Sequence, residues 1–339
     1  MKIACIGGGT GTTAVLKGLK EYSDIELSII VTMMDDGGSN AIVRDEFGIL
    51  PLSDVRKSIL ALASTNKNEI LRQLFTYRFA KGNGISGHTL GNLIMIALTD
   101  ITGSEKEAIQ QSANIFSAKG KILPVTFTHT RLVANYDDGE VLLGEHNIDD
   151  STNLTRIKKL SLNTNAKANP DVLKAIKEAD YIIVGPGDIY TSILPNILVD
   201  GVSKAISKSK GKLIYISNLM SKKGETRGMT HFDLLKEIEK YCNRKMDYVL
   251  INNSKIPRSL LKKYLDDGEH PFIDDIDNTK KEDRKILRAD LISTEKIKKE
   301  KGDTLKRSYI RHDPEKLGKE LYYIFRRSVF DILANIINS

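Results

Sequence analysis

The chain has 339 residues, of which 40% are hydrophobic and 28% charged, and its formal net charge is +7. This composition is that of a globular protein with a large core and excludes a disordered chain. The 51 basic residues are interleaved with 44 acidic ones, which favours a solvated surface, or attraction for small phosphorylated ligands, over nucleic-acid binding.

Membrane and export signals are not visible in the sequence. No apolar run approaches the roughly 20 residues that span a bilayer, and a strand beginning at Lys2 is expected to leave no room for a signal peptide. The two cysteines, Cys5 and Cys242, are far apart and are expected to be buried or incidental thiols. We therefore expect a cytoplasmic protein without a membrane span. Its oligomeric state stays open, a homo-oligomer included.

Apolar strand-like runs alternate with amphipathic helical runs along the chain. The predicted strands are 2–6, 27–33, 122–127, 181–184, 213–216, 248–251 and 286–291. The predicted helices are 13–22, 54–63, 69–80, 88–101, 105–116, 171–178, 196–207, 232–242 and 314–337. This alternation predicts an α/β fold with a doubly wound, mostly parallel, Rossmann-like sheet.

We expect one α/β domain over residues 1–339. Residues 53–118 hold four helical segments without a strand, which predicts a helical insertion over the sheet edge. Residues 131–143 carry Asp-Asp-Gly between two short apolar runs, which predicts a small peripheral β-hairpin. The polar stretch 266–285 is expected to be a mobile loop.

The first motif is the glycine-rich turn Gly7-Gly8-Gly9-Thr10-Gly11-Thr12, which follows the first strand and opens a helix. Glycine lets a backbone approach a ligand closely, and a helix N-terminus offers N–H donors to a phosphate. The candidate nucleotide-binding residues here are Gly8, Gly9, Thr10, Gly11 and Thr12. The turn has neither the P-loop lysine nor the complete dinucleotide fingerprint. A tight strand–helix turn without a ligand is the alternative.

The second motif, Asp35-Asp36-Gly37-Gly38-Ser39, follows the second strand at the carboxyl edge of the predicted sheet. Acids there can bind ribose hydroxyls or a divalent cation, or act as a base. Asp35 and Asp36 are therefore candidate catalytic and metal-binding residues. The candidate nucleotide contacts are Asp36, Gly37, Gly38 and Ser39. A surface turn is the alternative.

Two helix starts carry further candidates. Ser53 or Asp54 can cap one helix, and Arg56 lies one turn further on, where it could meet a phosphate. His88 and Asn92 are four residues apart on one helix face, which favours a substrate contact, and a structural histidine is the alternative. Without a cysteine–histidine cluster a tight zinc site is not expected.

A second glycine-rich turn, 185–192, ends another apolar strand. The candidate nucleotide contacts in it are Gly185, Gly187, Tyr190 and Thr191. Two such turns at strand ends predict an elongated ligand lying across the sheet edge. A second tight crossover turn is the alternative.

These five motifs, in this order, resemble the family of 2-phospho-L-lactate transferases and YvcK-type gluconeogenesis factors, over nearly the whole chain. Further matching segments are 218–220, 224–230, 289–291 and 311–314. The Asn-x-Met and Gly-Glu-Thr segments and the late Arg-His-Asp-Pro favour the YvcK branch.

The resemblance implies one of two activities. The transferases move a phospholactyl-type group from a guanosine diphosphate carrier to a deazaflavin alcohol, with a divalent cation. YvcK-type proteins bind UDP-sugars such as UDP-N-acetylglucosamine and support cell shape and envelope synthesis on gluconeogenic carbon. Their UDP-sugar contacts correspond to Tyr264 and Arg311, and Asn218 lies in a matching segment.

The chain departs from the family pattern at three places. Asn40-Ala41 replaces Ser-Gly, Leu52-Ser53 and Lys57 alter Pro-Pro-Gly-Asp-x-Arg-Asn, and Asp188 replaces the serine of Gly-Pro-Gly-Ser. The added carboxylate of Asp188 would repel a phosphate unless a metal or an arginine offsets it.

Three functions stay open. The first is a nucleotide-sugar-binding regulatory protein that requires no cofactor. The second is a phospholactyl-type transferase with Mg or Mn, in which Asp35 or Asp36 binds the cation or accepts a proton and Arg56 and His88 stabilise the phosphate. The third is an NAD(P)-binding protein without redox activity, because the acid pair begins 24 residues after Gly11 (35 − 11).

Overall fold

The computed structural model describes residues 1–37, 40, 47–64, 69–276, 284–295 and 309–337. Its strands, in chain order, are β1 (Lys2–Gly7), β2 (Glu26–Val31), β3 (Lys121–Pro124), β4 (Leu132–Tyr136), β5 (Val141–Leu143), β6 (Ile157–Leu162), β7 (Tyr181–Val184), β8 (Lys212–Ile216), β9 (Tyr248–Asn252) and β10 (Lys285–Ala289). Seven of them form one sheet in the order β10-β9-β8-β7-β1-β2-β3. Every pair in this sheet is parallel.

The central strands are buried on both faces. All four residues of β7 are buried, as are Ile3 to Ile6 of β1. Such continuous apolar runs are typical of parallel strands that helices cover on both sides. Ile3 of β1 pairs with Leu27 of β2 on one side and with Tyr181 of β7 on the other.

The direction of winding reverses between β1 and β7. The chain passes from β1 outward to β2 and β3, and later returns to β7 on the other side of β1 before continuing to β10. In open α/β sheets ligands bind outside the carboxyl ends of the strands at such a switch point.

Helices cover the sheet. They are α1 (Gly9–Leu19), α2 (Ser53–Leu62), α3 (Glu69–Thr76), α4 (Leu90–Thr102), α5 (Glu105–Ile115), α6 (Glu145–Asp149), α7 (Pro170–Glu178), α8 (Leu194–Ile197), α9 (Val202–Lys208), α10 (His231–Cys242), α11 (Arg258–Asp266) and α12 (Pro314–Ile337), with a π-helical turn at Ile189–Ile193. Helices α2 to α5 lie in the connection between β2 and β3. Helix α12 crosses α1 closely, since a Cβ on Gly18 would lie 2.2 Å from the Pro314 carbonyl oxygen.

The predicted α/β fold and its parallel sheet are confirmed, with three local differences. The predicted hairpin, β4 and β5, gains β6 as a third antiparallel strand. The sequence hides β6 because two exposed lysines, Lys158 and Lys159, stand side by side in it and break the alternation. The predicted helix 196–207 is divided at Gly201, which has a φ of +95°. Helix α11 was missed because it buries Tyr264 alone.

Some expectations fall partly outside the described residues. Residues 277–283 of the predicted mobile loop do so, as do Gly38 and Ser39. Within the described part of the chain, no helix is long and apolar enough to cross a membrane. Cys5 and Cys242 are both buried and unpaired, and burial raises the pKa of each thiol to about 12.

Candidate functional site

The two predicted glycine turns meet at the switch point. A Cβ on Gly11 would lie 2.4 Å from the carbonyl oxygen of Pro186, so only glycine allows this approach. The Thr12 hydroxyl donates to the Gly8 carbonyl at 3.1 Å. The Gly187 N–H donates to Asn218 Oδ1 at 3.2 Å, which adds the end of β8 to the same edge. The structure therefore brings together the candidates of the first and fifth motifs.

A carboxylate holds the turn after β1. Gly9 has a φ of +65°, a conformation that favours glycine, and its N–H donates to Asp54 Oδ2 at 2.9 Å. Asp54 was predicted as a cap of its own helix, but it interacts with the N-terminus of α1 instead, and Lys57 Nζ donates to its other oxygen at 2.8 Å. A negative charge at this position matches the positive end of the helix dipole.

The two acids of the second motif diverge. Asp35 Oδ1 accepts the Gly37 N–H at 3.0 Å. Burial and the neighbouring Asp54 raise the pKa of Asp35 to about 6. Asp36 Oδ1 instead accepts the His146 N–H at 2.9 Å, in the first turn of α6. Asp36 therefore anchors α6, the short helix that follows β5 of the three-stranded antiparallel sheet.

Carboxylates and lysines form a charged group around the turn after β7. We call the set Asp35, Asp54, Lys57, Glu145, Asp149, Asp188, Lys222 and Glu225 the acidic basin. At its centre, Lys222 Nζ lies 3.0 Å from both Asp188 Oδ2 and Glu225 Oε1 and also pairs with Asp149. Burial, then Asp35 and Asp149, raise the pKa of Glu145 well above its ordinary value, which links the two ends of the basin.

Glu225 is the most deeply buried member of the basin, with a fully buried side chain. Burial raises its pKa to about 8, against the opposing effect of Lys222. Its Oε1 accepts from the Thr191 hydroxyl at 3.4 Å, whereas Oε2 has no hydrogen-bond partner in the described structure. Burial lowers and the three carboxylates raise the pKa of Lys222, with a strong net rise.

The basin does not fit a divalent cation as it stands. One ligand atom each from Asp149, Asp188 and Glu225 lie within 4.8 Å of one another, the one such group of three among the described residues. Magnesium requires octahedral oxygen ligands at about 2.0–2.1 Å, but an ammonium already lies 3.0 Å from two of these carboxylates. Asp35 and Asp36, the predicted metal pair, belong to no such group within the described residues.

The candidates of the third and fourth motifs form an internal link between helices. Arg56 is buried, and its Nε donates to Asn92 Oδ1 at 3.1 Å while Nη1 donates to the Phe75 carbonyl at 3.5 Å. His88 is also buried, just before α4. The structure thus places Arg56 and Asn92 together, and the arginine connects α2 to α4.

Tyr190 and Thr191 are buried in the π-helical turn. Tyr190 packs in the main core, and burial raises the pKa of its hydroxyl. Thr191 reaches the acidic basin through Glu225.

Tyr264 and Arg311 lie in a second, smaller cluster at the same edge. The Tyr264 hydroxyl accepts the N–H groups of Tyr309 at 2.7 Å and Ile310 at 3.2 Å. Tyr264 belongs to the same small cluster of buried apolar residues as Leu219, the residue after Asn218. The half-buried Arg311 follows Ile310 directly and accepts the Ser293 N–H on its carbonyl at 2.9 Å. We call Tyr264, Leu219, Tyr309, Ile310 and Arg311 the Tyr264 cluster.

Two buried histidines meet at Ser217, where β8 ends. His231 Nδ1 lies 2.7 Å from the Ser217 hydroxyl oxygen, and His312 hydrogen-bonds to the Ser217 backbone. Burial lowers the pKa of each imidazole to about 4. Nε2 of His312 has no hydrogen-bond partner in the part of the chain described. We call these residues the histidine pair.

Sequence reasoning missed most of the acidic basin. Glu145 and Asp149 come from α6, and Lys222 from the loop after β8, where no local motif marks them. Glu225 had one signal, its place in the matching Gly-Glu-Thr segment. Asp188 had been noted only as a departure from the family pattern.

Comparison with known proteins decides the family. The model of the family described as 2-phospho-L-lactate transferase CofD matches residues 3–292. The chain belongs to this family. The expected family assignment is therefore confirmed.

Relatives within the CofD family match almost the whole chain. A protein of Thermotoga maritima is 40% identical over 326 residues, 96% of this chain and 100% of that protein. The gluconeogenesis factor of Bacillus subtilis is 36% identical over 323 residues, 94% of this chain and 96% of its own length. The crystal structure of a UPF0052 family member from Bacillus halodurans has a TM-score of 0.83 and 33% identity, and the match covers 94% of this chain and 99% of that one. These similarities agree with the predicted YvcK branch.

Proposed function

We propose that this protein binds a nucleotide sugar, of the kind of UDP-N-acetylglucosamine, at the switch point between β1 and β7. The observation that carries the proposal is the contact between the two glycine turns, where a Cβ on Gly11 would lie 2.4 Å from the Pro186 carbonyl. The N-terminus of α1 opens beside this contact, and helix N-termini at switch points bind phosphates. The diphosphate would lie across these turns.

The rest of the ligand would extend along the edge towards β8 and β10. Asn218 contacts Gly187, and its neighbour Leu219 belongs to the same apolar cluster as Tyr264, so one short segment connects the switch point to the Tyr264 cluster. Tyr264 and Arg311 are the residues that the family resemblance places at this end.

We infer a regulatory role in the cytoplasm, in support of cell shape and envelope synthesis during gluconeogenic growth. The support is the similarity to the gluconeogenesis factor of Bacillus subtilis, which extends over 94% of this chain. A protein of this role binds its nucleotide sugar as a signal and requires no cofactor.

Isothermal titration calorimetry tests the proposal. Folded protein is titrated with UDP-N-acetylglucosamine, and in separate runs with UDP, a guanosine-diphosphate compound and NAD. We expect one site that prefers the UDP-sugar. Absence of heat at millimolar UDP-sugar, with circular dichroism showing folded protein, would contradict the proposal. Binding of NAD alone would instead support the dinucleotide alternative.

The second candidate is a phospholactyl-type transferase. The observation in its favour is the pair of carboxyls with raised pKa, Asp35 and Glu145, because such a group can accept a proton from an attacking hydroxyl. The family's transferases use a divalent cation, so this candidate requires Lys222 to leave the carboxylates. Turnover of a deazaflavin alcohol and a guanosine-diphosphate-linked donor with Mg or Mn would establish it. No product at high enzyme concentration would count against it.

A further inference from the structure

Two ammonium groups stand among the carboxylates of the acidic basin. Lys222 Nζ contacts Asp149, Asp188 and Glu225, the last two at 3.0 Å. Lys57 Nζ contacts Asp54 at 2.8 Å. Both lysines therefore stand where a metal ion could otherwise balance the charge of these acids.

Lys222 balances the acid that lies within the second glycine turn. Asp188 directly follows Gly187, and a Cβ on Gly187 would lie 3.6 Å from the Gly8 carbonyl oxygen. An uncompensated carboxylate beside this turn would repel a phosphate by several kcal/mol at an effective dielectric constant of about 20. The ammonium of Lys222, 3.0 Å away, offsets that repulsion.

Lys222 and a divalent ion exclude each other from this place. The lysine side chain is mostly buried, with 22% exposure, and its charge is shared among three acids. A metal ion coordinated by those acids would put two positive centres within contact distance in a site screened from water. The unpaired Oε2 of Glu225 shows that the fully buried acid retains coordinating capacity that Lys222 does not use.

We propose that Lys222 is a built-in cation that takes the place of a divalent metal ion, so that this chain binds the diphosphate of its ligand without metal. The inference rests on the proposed function for the identity of the ligand. Its metal-binding consequence does not, because removal of the lysine leaves three acids positioned to ligate a cation.

The experiment compares wild type with Lys222→Gln in two assays. Electron paramagnetic resonance of Mn²⁺ counts bound metal without nucleotide, and calorimetry measures UDP-N-acetylglucosamine binding in EDTA and in Mg²⁺. Lys223→Gln is the matched control, since this neighbouring lysine is exposed and its loss changes the net charge equally. The double variant Asp188→Asn, Lys222→Gln restores the charge balance.

We expect wild type to bind the UDP-sugar equally well in EDTA and in Mg²⁺. Lys222→Gln should bind about 10- to 100-fold more weakly in EDTA, recover in Mg²⁺, and bind one more Mn²⁺ than wild type. The double variant should bind in EDTA better than Lys222→Gln, and Lys223→Gln should behave as wild type.

Three results would overturn the inference: wild type that needs Mg²⁺, Lys222→Gln that gains no Mn²⁺, or a double variant that binds no better in EDTA. The first result is measured on wild type, so it tests the inference even if Lys222→Gln does not fold. Absence of nucleotide binding by folded wild type in both buffers contradicts the proposed function instead, and the Mn²⁺ count then tests the inference alone.

Discussion

The carboxyl edge of the sheet has two polar regions: in one, carboxylates pair with lysines, and in the other, buried histidines are neutral. In the acidic basin, carboxylates face lysines, and Lys222 alone pairs with three acids. In the histidine pair and the Tyr264 cluster, burial lowers the pKa of both imidazoles and the tyrosine hydroxyl accepts backbone N–H groups. Burial therefore keeps both imidazoles beside β8 neutral at neutral pH, whereas carboxylates and ammonium groups pair with one another near β1 and β7. A ligand with a diphosphate at the glycine turns and a sugar or base towards Tyr264 and Arg311 would extend across both regions.

The largest effect is expected from a substitution that separates the two glycine turns beside the acidic basin. Gly11→Val places a side chain where even a Cβ would lie 2.4 Å from the Pro186 carbonyl oxygen. We expect the free energy of unfolding to fall by about 3 kcal/mol and UDP-sugar binding to be lost. Urea denaturation and calorimetry measure the two effects. Thr13→Val in the same helix is the control and should change stability by less than about 0.5 kcal/mol.

Buried titratable groups in the two regions should change the free energy of unfolding with pH in opposite directions, and Glu225 represents the acidic basin. The pKa of Glu225 rises to about 8 in the folded protein from an ordinary value of 4.5, so the unfolded chain loses this proton first and stability falls as pH rises from about 4.5 to 8. Glu225→Gln should flatten that fall in urea denaturation between pH 5 and 8. If the free energy of unfolding of this variant depends on pH as in wild type, the raised pKa of Glu225 is contradicted. Glu107→Gln, at an exposed position, is the control.

The histidine pair should respond with the opposite sign. The pKa of His312 falls to about 4 from 6.5, so the unfolded chain binds a proton first and stability is lost as pH falls from about 6.5 to 4. His312→Asn should reduce the stability lost between pH 7 and 5 by about 1–2 kcal/mol. His270→Asn, at an exposed position, should not. Equal effects of the two variants would remove the contrast between the regions.

A smaller test concerns the Tyr264 cluster. Tyr264→Phe removes the acceptor of two backbone N–H groups, those of Tyr309 and Ile310. We expect the free energy of unfolding to fall by about 1–2 kcal/mol, measured by urea denaturation. The exposed Tyr323→Phe should change stability by less than about 0.5 kcal/mol. If Tyr264→Phe leaves stability unchanged but weakens UDP-sugar binding, the hydroxyl acts on the ligand and not on the fold.

The smallest expected effect on stability is that of Lys57→Gln. Lys57 pairs with Asp54 at 2.8 Å but is 38% exposed, and partly exposed pairs contribute less than about 1 kcal/mol. Because Asp54 holds the Gly9 N–H, we expect UDP-sugar binding in EDTA to weaken about threefold while stability hardly changes. Calorimetry alongside urea denaturation separates the two, and unchanged binding would show that Lys222 alone balances the basin.

The sequence predicts the parts of the molecule that depend on local pattern. Continuous apolar runs identify β1, β7 and β8, and the turns at Gly7–Thr12 and Gly185–Ser192 mark the strand ends that meet. The alternation with helices then predicts that these strands are parallel. The family resemblance depends on the same motifs, so the family could also be predicted from the sequence.

The acidic basin could not be predicted, because its members come from segments far apart in the chain. Lys222 meets Asp149, 73 residues away, and Asp188, 34 residues away. Burial also changes the meaning of residues that the sequence does single out. Arg56 was a candidate phosphate ligand, and the structure buries it against Asn92. Asp54 was a candidate helix cap, and it holds Gly9 instead.

A crystal structure with UDP-N-acetylglucosamine bound tests the central claim most directly. The account predicts phosphate oxygens within hydrogen-bond distance of turn N–H groups between Gly8 and Thr12 other than that of Gly9, which donates to Asp54, with Lys222 still among its acids and the sugar or base towards Tyr264. A diphosphate bound away from both glycine turns would contradict it.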